Sequence, residues 1–250
     1  MTFFKRLSTI RASLVAIFIA LAFTSPVFAS SFVLHPAGFG PHSYAAWAAG
    51  EGLPDSHGTV NQALYFQKMT TTATNAAGIA IFKGFGGLPS SDLTGLKFWV
   101  GTDGHCGAGA PRFDVLLQFA SGTKQFFFAG CQSGSGMAPT GMTATAPNGR
   151  VFQQREVVCW YPSGAITCVS SLPPGTIVSI AMVFDEGTDQ GVGFVFLDNI
   201  EIDSASTGTH LWTSSADNHD PSASTTTFDT TVIEALLGAP LTSLYITGQF

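Results

Sequence analysis

The segment from Thr176 to Asp203, TIVSIAMVFDEGTDQGVGFVFLDNIEID, constrains the fold more than any other part of the chain. Apolar residues recur at every second position on both sides of an acidic, glycine-bearing loop, which is the period of a strand. Val178, Ile180, Met182 and Phe184 predict one apolar face, and Phe194, Phe196, Ile200 and Ile202 predict a second. Asp198 falls on the same parity as the second set. An unpaired carboxylate is costly to bury, so Asp198 must find a partner or bend its strand.

The same alternation recurs at regular intervals, which predicts layered antiparallel sheets rather than strand–helix–strand units. Further strands are expected over Ala63 to Thr71, Gly78 to Phe85, Leu96 to Val100, Arg112 to Phe119, Lys124 to Ala129, Val151 to Cys159 and Ala165 to Val169. No amphipathic helix of useful length is readable between Ser31 and Asp203. The fold class that follows is all-β, an antiparallel jelly-roll-type β-sandwich, and its core accounts for most of the 22 Phe residues. Ser31 to Gly58 reads as irregular, broken by Pro36, Pro41 and Pro54 and carrying His35, His42 and His57; its Tyr44 to Ala49 piece fits a helical turn or an extended edge. Ser133 to Gly149, poor in apolar residues and rich in Gly, Thr and Pro, reads as a long surface loop.

Residues 1–29 have the pattern of a signal peptide. Lys5, Arg6 and Arg11 precede an apolar stretch from Leu14 to Phe23, too short to span a bilayer, and Val27-Phe28-Ala29 fits a cleavage site. Residues 30–203 then form the sandwich domain. Residues 204–250 are a polar Ser/Thr-rich segment, with a short helix at Thr231 to Leu237 and a strand at Leu241 to Ile246, packed on the same domain. Phe250 is an ending shared with outer-membrane barrels, but Phe occupies the strand faces that a barrel would keep polar. The expected location is therefore outside the cell, at its surface or in a periplasm, without membrane insertion once the leader is cleaved.

Loss of the leader removes three cations, so seven Lys and Arg face 16 Asp and Glu and the net charge moves from −6 to −9. That sign excludes a nucleic-acid partner held through its phosphates. The four Cys predict two disulfides in an oxidising compartment. Cys159 and Cys168 bracket the turn Pro162-Ser163-Gly164, which favours a local bridge and leaves Cys106 to Cys131.

With the apolar pair ahead of it, Asp198-Asn199-Ile200 resembles the closing strand of jelly-roll carbohydrate-binding modules and the related galactose-binding-like sandwiches. The resemblance implies that Asp198 helps to hold a structural Ca²⁺; only this ligand of the family's set matches a residue here. The residues themselves leave two other roles for Asp198, accepting backbone N–H groups at a bulge or pairing with an Arg. Asp185, Glu186 and Asp189 form a second acidic candidate in a hairpin loop, without EF-hand spacing.

For glycan recognition the useful residues are flat aromatics outside the core. Trp160 and Tyr161, at the disulfide-bridged turn, are the leading stacking candidates, followed by Trp212, Tyr44 and Trp47. Trp99 alternates with Lys97 and fits either a solvent face or the second sheet. No nucleophile, zinc-protease or phosphate-loop motif is present. Asp114 and Glu156, both mid-strand, are the least arbitrary carboxylate pair for a glycosidase. The expected function is therefore secreted, non-catalytic binding of an extracellular glycan or surface polymer. The alternatives are a polysaccharide lyase or glycosidase on the same fold, and a structural matrix component.

Overall fold

Alternation becomes thirteen strands in the computed structural model, which describes residues 32–39, 43–55, 60–70, 77–107, 109–185, 192–217 and 238. In chain order they are β1 Val33–Phe39, β2 Ser43–Ala49, β3 Gln62–Lys68, β4 Ala77–Lys83, β5 Leu93–Gly101, β6 Arg112–Gln118 and β7 Lys124–Gly130. There follow β8 Met137–Thr145, β9 Val151–Val157, β10 Tyr161–Pro162, β11 Thr176–Phe184, β12 Gly193–Ser204 and β13 Gly208–Trp212. Short 3₁₀ turns at Ser90–Asp92 and Ser215–Asp217 are the only helical pieces among the described residues.

Two sheets result, and every ladder between named strands is antiparallel. The six-stranded sheet has the order β1-β4-β11-β6-β7-β10. The seven-stranded sheet has the order β2-β3-β12-β5-β9-β8, with β13 paired to the second half of β12. The chain crosses between sheets at β1–β2, β3–β4, β4–β5 and β5–β6, and again at β7–β8, β9–β10 and β11–β12. The acidic loop after β11 is thus a sheet-to-sheet connection and not the expected hairpin.

Between the sheets lies the main core. Leu64, Phe66, Phe98, Val100, Val195 and Leu197 from one sheet meet Phe82, Phe113, Val115, Leu117, Phe127 and Met182 from the other. A β-bulge decides how β12 joins it. Val195 and Leu197 point inward, register shifts after Asp198, and Ile200 and Ile202 point inward again. Phe194, Phe196 and Asp198 are thereby turned to the opposite face, so the single apolar face read from the sequence is two. A second bulge in β11, between Ile177 and Ser179, turns Val178 away from the core while Ile180, Met182 and Phe184 stay in it.

The outer face of the six-stranded sheet is also buried. Ile79, Ile81, Leu116, Phe126, Phe128 and Val183 form a second apolar cluster there. Gly238 lies against this face: its carbonyl accepts a hydrogen bond from Lys124 Nζ at 2.9 Å, and a methyl group in its place would come within 2.6 Å of Val178. The helix and strand expected at 231–237 and 241–246 lie outside the described residues, as do the leader, His42 and His57.

Three local expectations are corrected. Ser31 to Gly58 is not irregular throughout, since β1 and β2 occupy half of it; the small residues of SYAAWAA pair readily with β3 because neighbouring strands supply the packing. Met137–Thr145, expected as loop, is β8, with a register shift between Pro139 and Thr143 where proline and glycine interrupt the ladder. Ala165 to Val169 forms no strand; a single bridge joins Val169 to Trp160, and Tyr161–Pro162 pairs with β7 instead.

Both disulfides have the expected pairing, with Cα–Cα distances of 5.4 Å for Cys106–Cys131 and 5.7 Å for Cys159–Cys168. They close loops of 25 and 9 residues respectively. Loop-closure entropy then gives about 3.5 kcal/mol for the longer and about 2.6 kcal/mol for the shorter. Cys106→Ala/Cys131→Ala is accordingly expected to lower the denaturation midpoint more than Cys159→Ala/Cys168→Ala, as read by urea titration; the reverse order would contradict it.

Candidate functional site

On the seven-stranded sheet, the face turned away from the core carries a contiguous set of aromatic and charged side chains. Alternation supplies Tyr44 and Ala48 from β2, Ala63 and Tyr65 from β3, Phe194 and Phe196 from β12, Trp99 from β5, and Phe152, Gln154 and Glu156 from β9. Ring centroids are 5.9 Å apart for Tyr44–Tyr65, 6.3 Å for Tyr65–Phe194 and 4.7 Å for Tyr65–Phe196. Ala48 and Ala63 beside them keep this surface low. Tyr44, Tyr65 and Trp99 are half-buried and Phe194 is 37% exposed.

Two ion-pair clamps flank the aromatic strip. Arg150 stacks on Phe196, with its guanidinium carbon 3.5 Å from the ring centroid. The same guanidinium meets Glu51 at 2.6 Å and Asp103 at 3.0 Å. Cation–π stacking and two carboxylates together fix its position. At the other end Lys97 meets Glu201 at 2.6 Å and Asp203 at 3.5 Å, and the Glu201 hydrogen bond raises the lysine pKa. Burial raises the Tyr65 pKa, with Tyr44 adding to the effect and Arg150 opposing it.

Asp198 lies on this same face, beneath the segment that follows β2, and is fully buried. Its Oδ2 accepts the Leu53 N–H at 2.6 Å and its Oδ1 accepts the Asn199 N–H at 2.6 Å. Asn199, at φ 41°, is the one described non-glycine residue in the left-handed region, as a bulge next to a carboxylate favours. Gly52 lets the covering segment approach: a Cβ there would lie 2.1 Å from the Gln62 carbonyl oxygen and 2.7 Å from Asp198 Oδ2. Burial pushes the Asp198 pKa up to about 7; the two backbone bonds oppose this, while Asp55 and Asp217 reinforce it.

For Ca²⁺, the test is the donor set. Asp198 is a buried carboxylate among like charges, and hard oxygen donors are what this cation takes. Asp217, however, already accepts bonds from Thr213 and Ser214, and among the described residues no group of three or more His, Cys, Asp or Glu is arranged to hold a metal. Any cation there would rest on Asp198, Asp55 and backbone carbonyls.

The other expected site residues are dispersed. Trp160 is 6% exposed and belongs to the main core, beside a cavity of about 400 Å³ bounded by Leu93 and Leu172. Trp212 is 2% exposed, with its ring 5.1 Å from Phe82. Neither presents an open face for stacking, because at these positions the apolar area of the indole is worth more inside the sandwich. Tyr161 is half-buried, and its hydroxyl donates to the Gly134 carbonyl at 2.6 Å. Trp47 packs inward against the core, leaving Tyr44 as the one expected stacking residue on the aromatic face.

Asp114 and Glu156 do not form a pair. Glu156 faces outward from the seven-stranded sheet and Asp114 outward from the other, so about 10 Å of sandwich separates the two layers. Asp114 instead belongs to a buried ionic cluster: its Oδ1 accepts the Arg112 Nε–H at 2.8 Å, while Asp185 takes the guanidinium fork through Nη1 and, at 2.8 Å, through Nη2. Burial pushes the Asp114 pKa up to about 8, Asp185 adds to it and Arg112 opposes it. Asp185 is thus a partner for Arg112 rather than a metal ligand, and Glu186 and Asp189 lie outside the described residues. Tyr65, Arg150, Glu51 and Asp103 carry no sequence signal that marks them as site residues, and Phe194 and Phe196 read as one face with Ile200 and Ile202; for that pair the parity switch at Asp198 was the missing signal.

The chain matches no known protein-family model, no curated protein and no solved structure.

Asp198 makes a pH test. Folded, it holds a proton up to about pH 7, and unfolded it releases one near 3.8, so the folded state carries more protons between those values. Stability from this group is therefore full below about pH 4 and falls as pH rises toward 7, by on the order of 4 kcal/mol at most. In metal-free buffer, raising pH from 5 to 8 should lower the melting temperature of the native protein more than that of Asp198→Asn; parallel curves would refute the assignment.

Proposed function

We propose that this protein is a secreted, non-catalytic binder of an extracellular glycan or surface polymer, acting through the outer face of the seven-stranded sheet. The carrying observation is the strip of Tyr44, Tyr65 and Phe194, with Trp99 alongside, partly open to solvent on a face whose charged groups are already fixed. Flat rings of this kind offer apolar area at small conformational cost, and the polar rim supplies hydrogen bonds. The resemblance of the Asp198-Asn199-Ile200 strand to jelly-roll carbohydrate-binding modules supports the same reading. Two disulfides suit an oxidising, extracellular setting, and no described helix is long and apolar enough to cross a membrane.

Catalysis is disfavoured because the two candidate carboxylates point away from each other on opposite sheets. A structural Ca²⁺ bound by Asp198 belongs to the proposal, supported by a buried carboxylate that has only backbone donors and acidic neighbours.

Two measurements test this. In pull-down or affinity electrophoresis against a polysaccharide panel, Tyr65→Ala and Phe194→Ala should each weaken retention about tenfold while circular dichroism stays native. Unchanged retention in both variants would remove the face from the proposal. At pH 8, millimolar Ca²⁺ should raise the melting temperature and EDTA reverse it, with neither effect in Asp198→Asn; no response in the native protein would remove the ion.

A further inference from the structure

Beyond residue 29 the chain has seven cationic side chains, and all of them fall among the described residues: Lys68, Lys83, Lys97, Arg112, Lys124, Arg150 and Arg155. The other segments add no Lys or Arg after that point, so the placement of every lysine and arginine in this part of the chain is known. Lys68 and Arg112 are fully buried, with Arg112 held between Asp114 and Asp185. Lys83 and Lys124 belong to the other sheet. Arg155 pairs opposite core-facing Phe98, on the reverse side of β9 from Gln154, and bonds Ser133 and Gln153.

Only Arg150 and Lys97 remain on the aromatic face, and each is shared by two carboxylates. Glu156 adds a fifth acid to these two cations. An incoming polyanion would therefore find no uncommitted cation; to gain one it must break an existing clamp and face the released carboxylates.

We infer that the face, read as a glycan-binding surface, selects neutral chains and rejects polyanionic ones such as polyuronates and sulfated glycans. Negative charge pre-placed around the aromatic strip is the selecting element. Affinity for a neutral chain comes from stacking and hydrogen bonds, so it varies little with ionic strength, because added salt screens only charge–charge terms. The inference rests on the reading under Proposed function and has its own way to fail.

The test uses oxidised protein comprising residues 30–250, with soluble galactomannan, xyloglucan and starch as neutral probes and polygalacturonate, alginate and heparin as anionic ones. Retention is measured at about 50 mM and about 500 mM NaCl, either side of the screening range. The expected result is retention by at least one neutral polymer, changing less than about twofold between the two salts, with anionic polymers at least about tenfold weaker. The double variant Glu201→Gln/Asp203→Asn, which frees Lys97, should narrow that gap at low salt and not at high salt. If an anionic polymer binds most tightly, weakens with salt and depends on Tyr65 and Phe194, the selectivity is overturned while the face survives as a binding site. If no polymer of either class is retained, the glycan reading itself falls, and the selectivity with it.

Discussion

One displaced residue in β12 sets the arrangement on both sides of its sheet. With Asn199 in the left-handed region, Asp198 turns outward to the Leu53 and Asn199 amides and Ile200 and Ile202 turn back into the core. An unbroken strand would leave a choice between a carboxylate in the inter-sheet core and two isoleucines in solvent. The bulge resolves that conflict locally, and it adds an anchor, since the segment carrying Gly52 and Leu53 is held down on the outer face by the carboxylate it covers. Glu51 continues this segment to Arg150, and Arg150 to the ring of Phe196. The candidate site is thus built outward from a backbone irregularity.

The six-stranded sheet meets a different demand. Apolar on both faces, it cannot leave its outer side to water, and the Arg112–Asp114–Asp185 cluster is embedded among the side chains there. Buried charges of this kind contribute little net stability and much definition, because a shifted register would strand an ion without its partner. The guanidinium faces two acids, and burial raises the pKa of Asp114, which has the poorer share of its hydrogen bonds.

The fold class and the disulfides were legible because they depend on period and spacing, which a sequence displays directly. Strands rich in Phe, Ile and Val, such as β6, β7 and β11, were readable within a residue or two at most ends. Strands β1, β2 and β8 were not, since VLHPAGF, SYAAWAA and MAPTGMTAT carry too few branched or aromatic residues to stand out from loop, and they gain their conformation from neighbours. The site was less legible still. Trp160 and Trp212 drew attention as aromatics near turns, yet which side of a sheet an indole takes depends on partners distant in sequence. Phe194 and Phe196 fell on one parity with Ile200 and Ile202 because a bulge is invisible to a parity count.

The strand orders carry a consequence for how copies of the chain meet. Of the five strands that pair on one side only, three contain proline: Pro36 in β1, Pro162 in β10 and Pro139 in β8, the last at a break in register. A proline lacks the N–H that a newly docked strand would need, and β10 is only two residues long. With few surface charges to keep neighbours apart, such blunted borders protect a phenylalanine-rich polypeptide from growing sideways into fibrils.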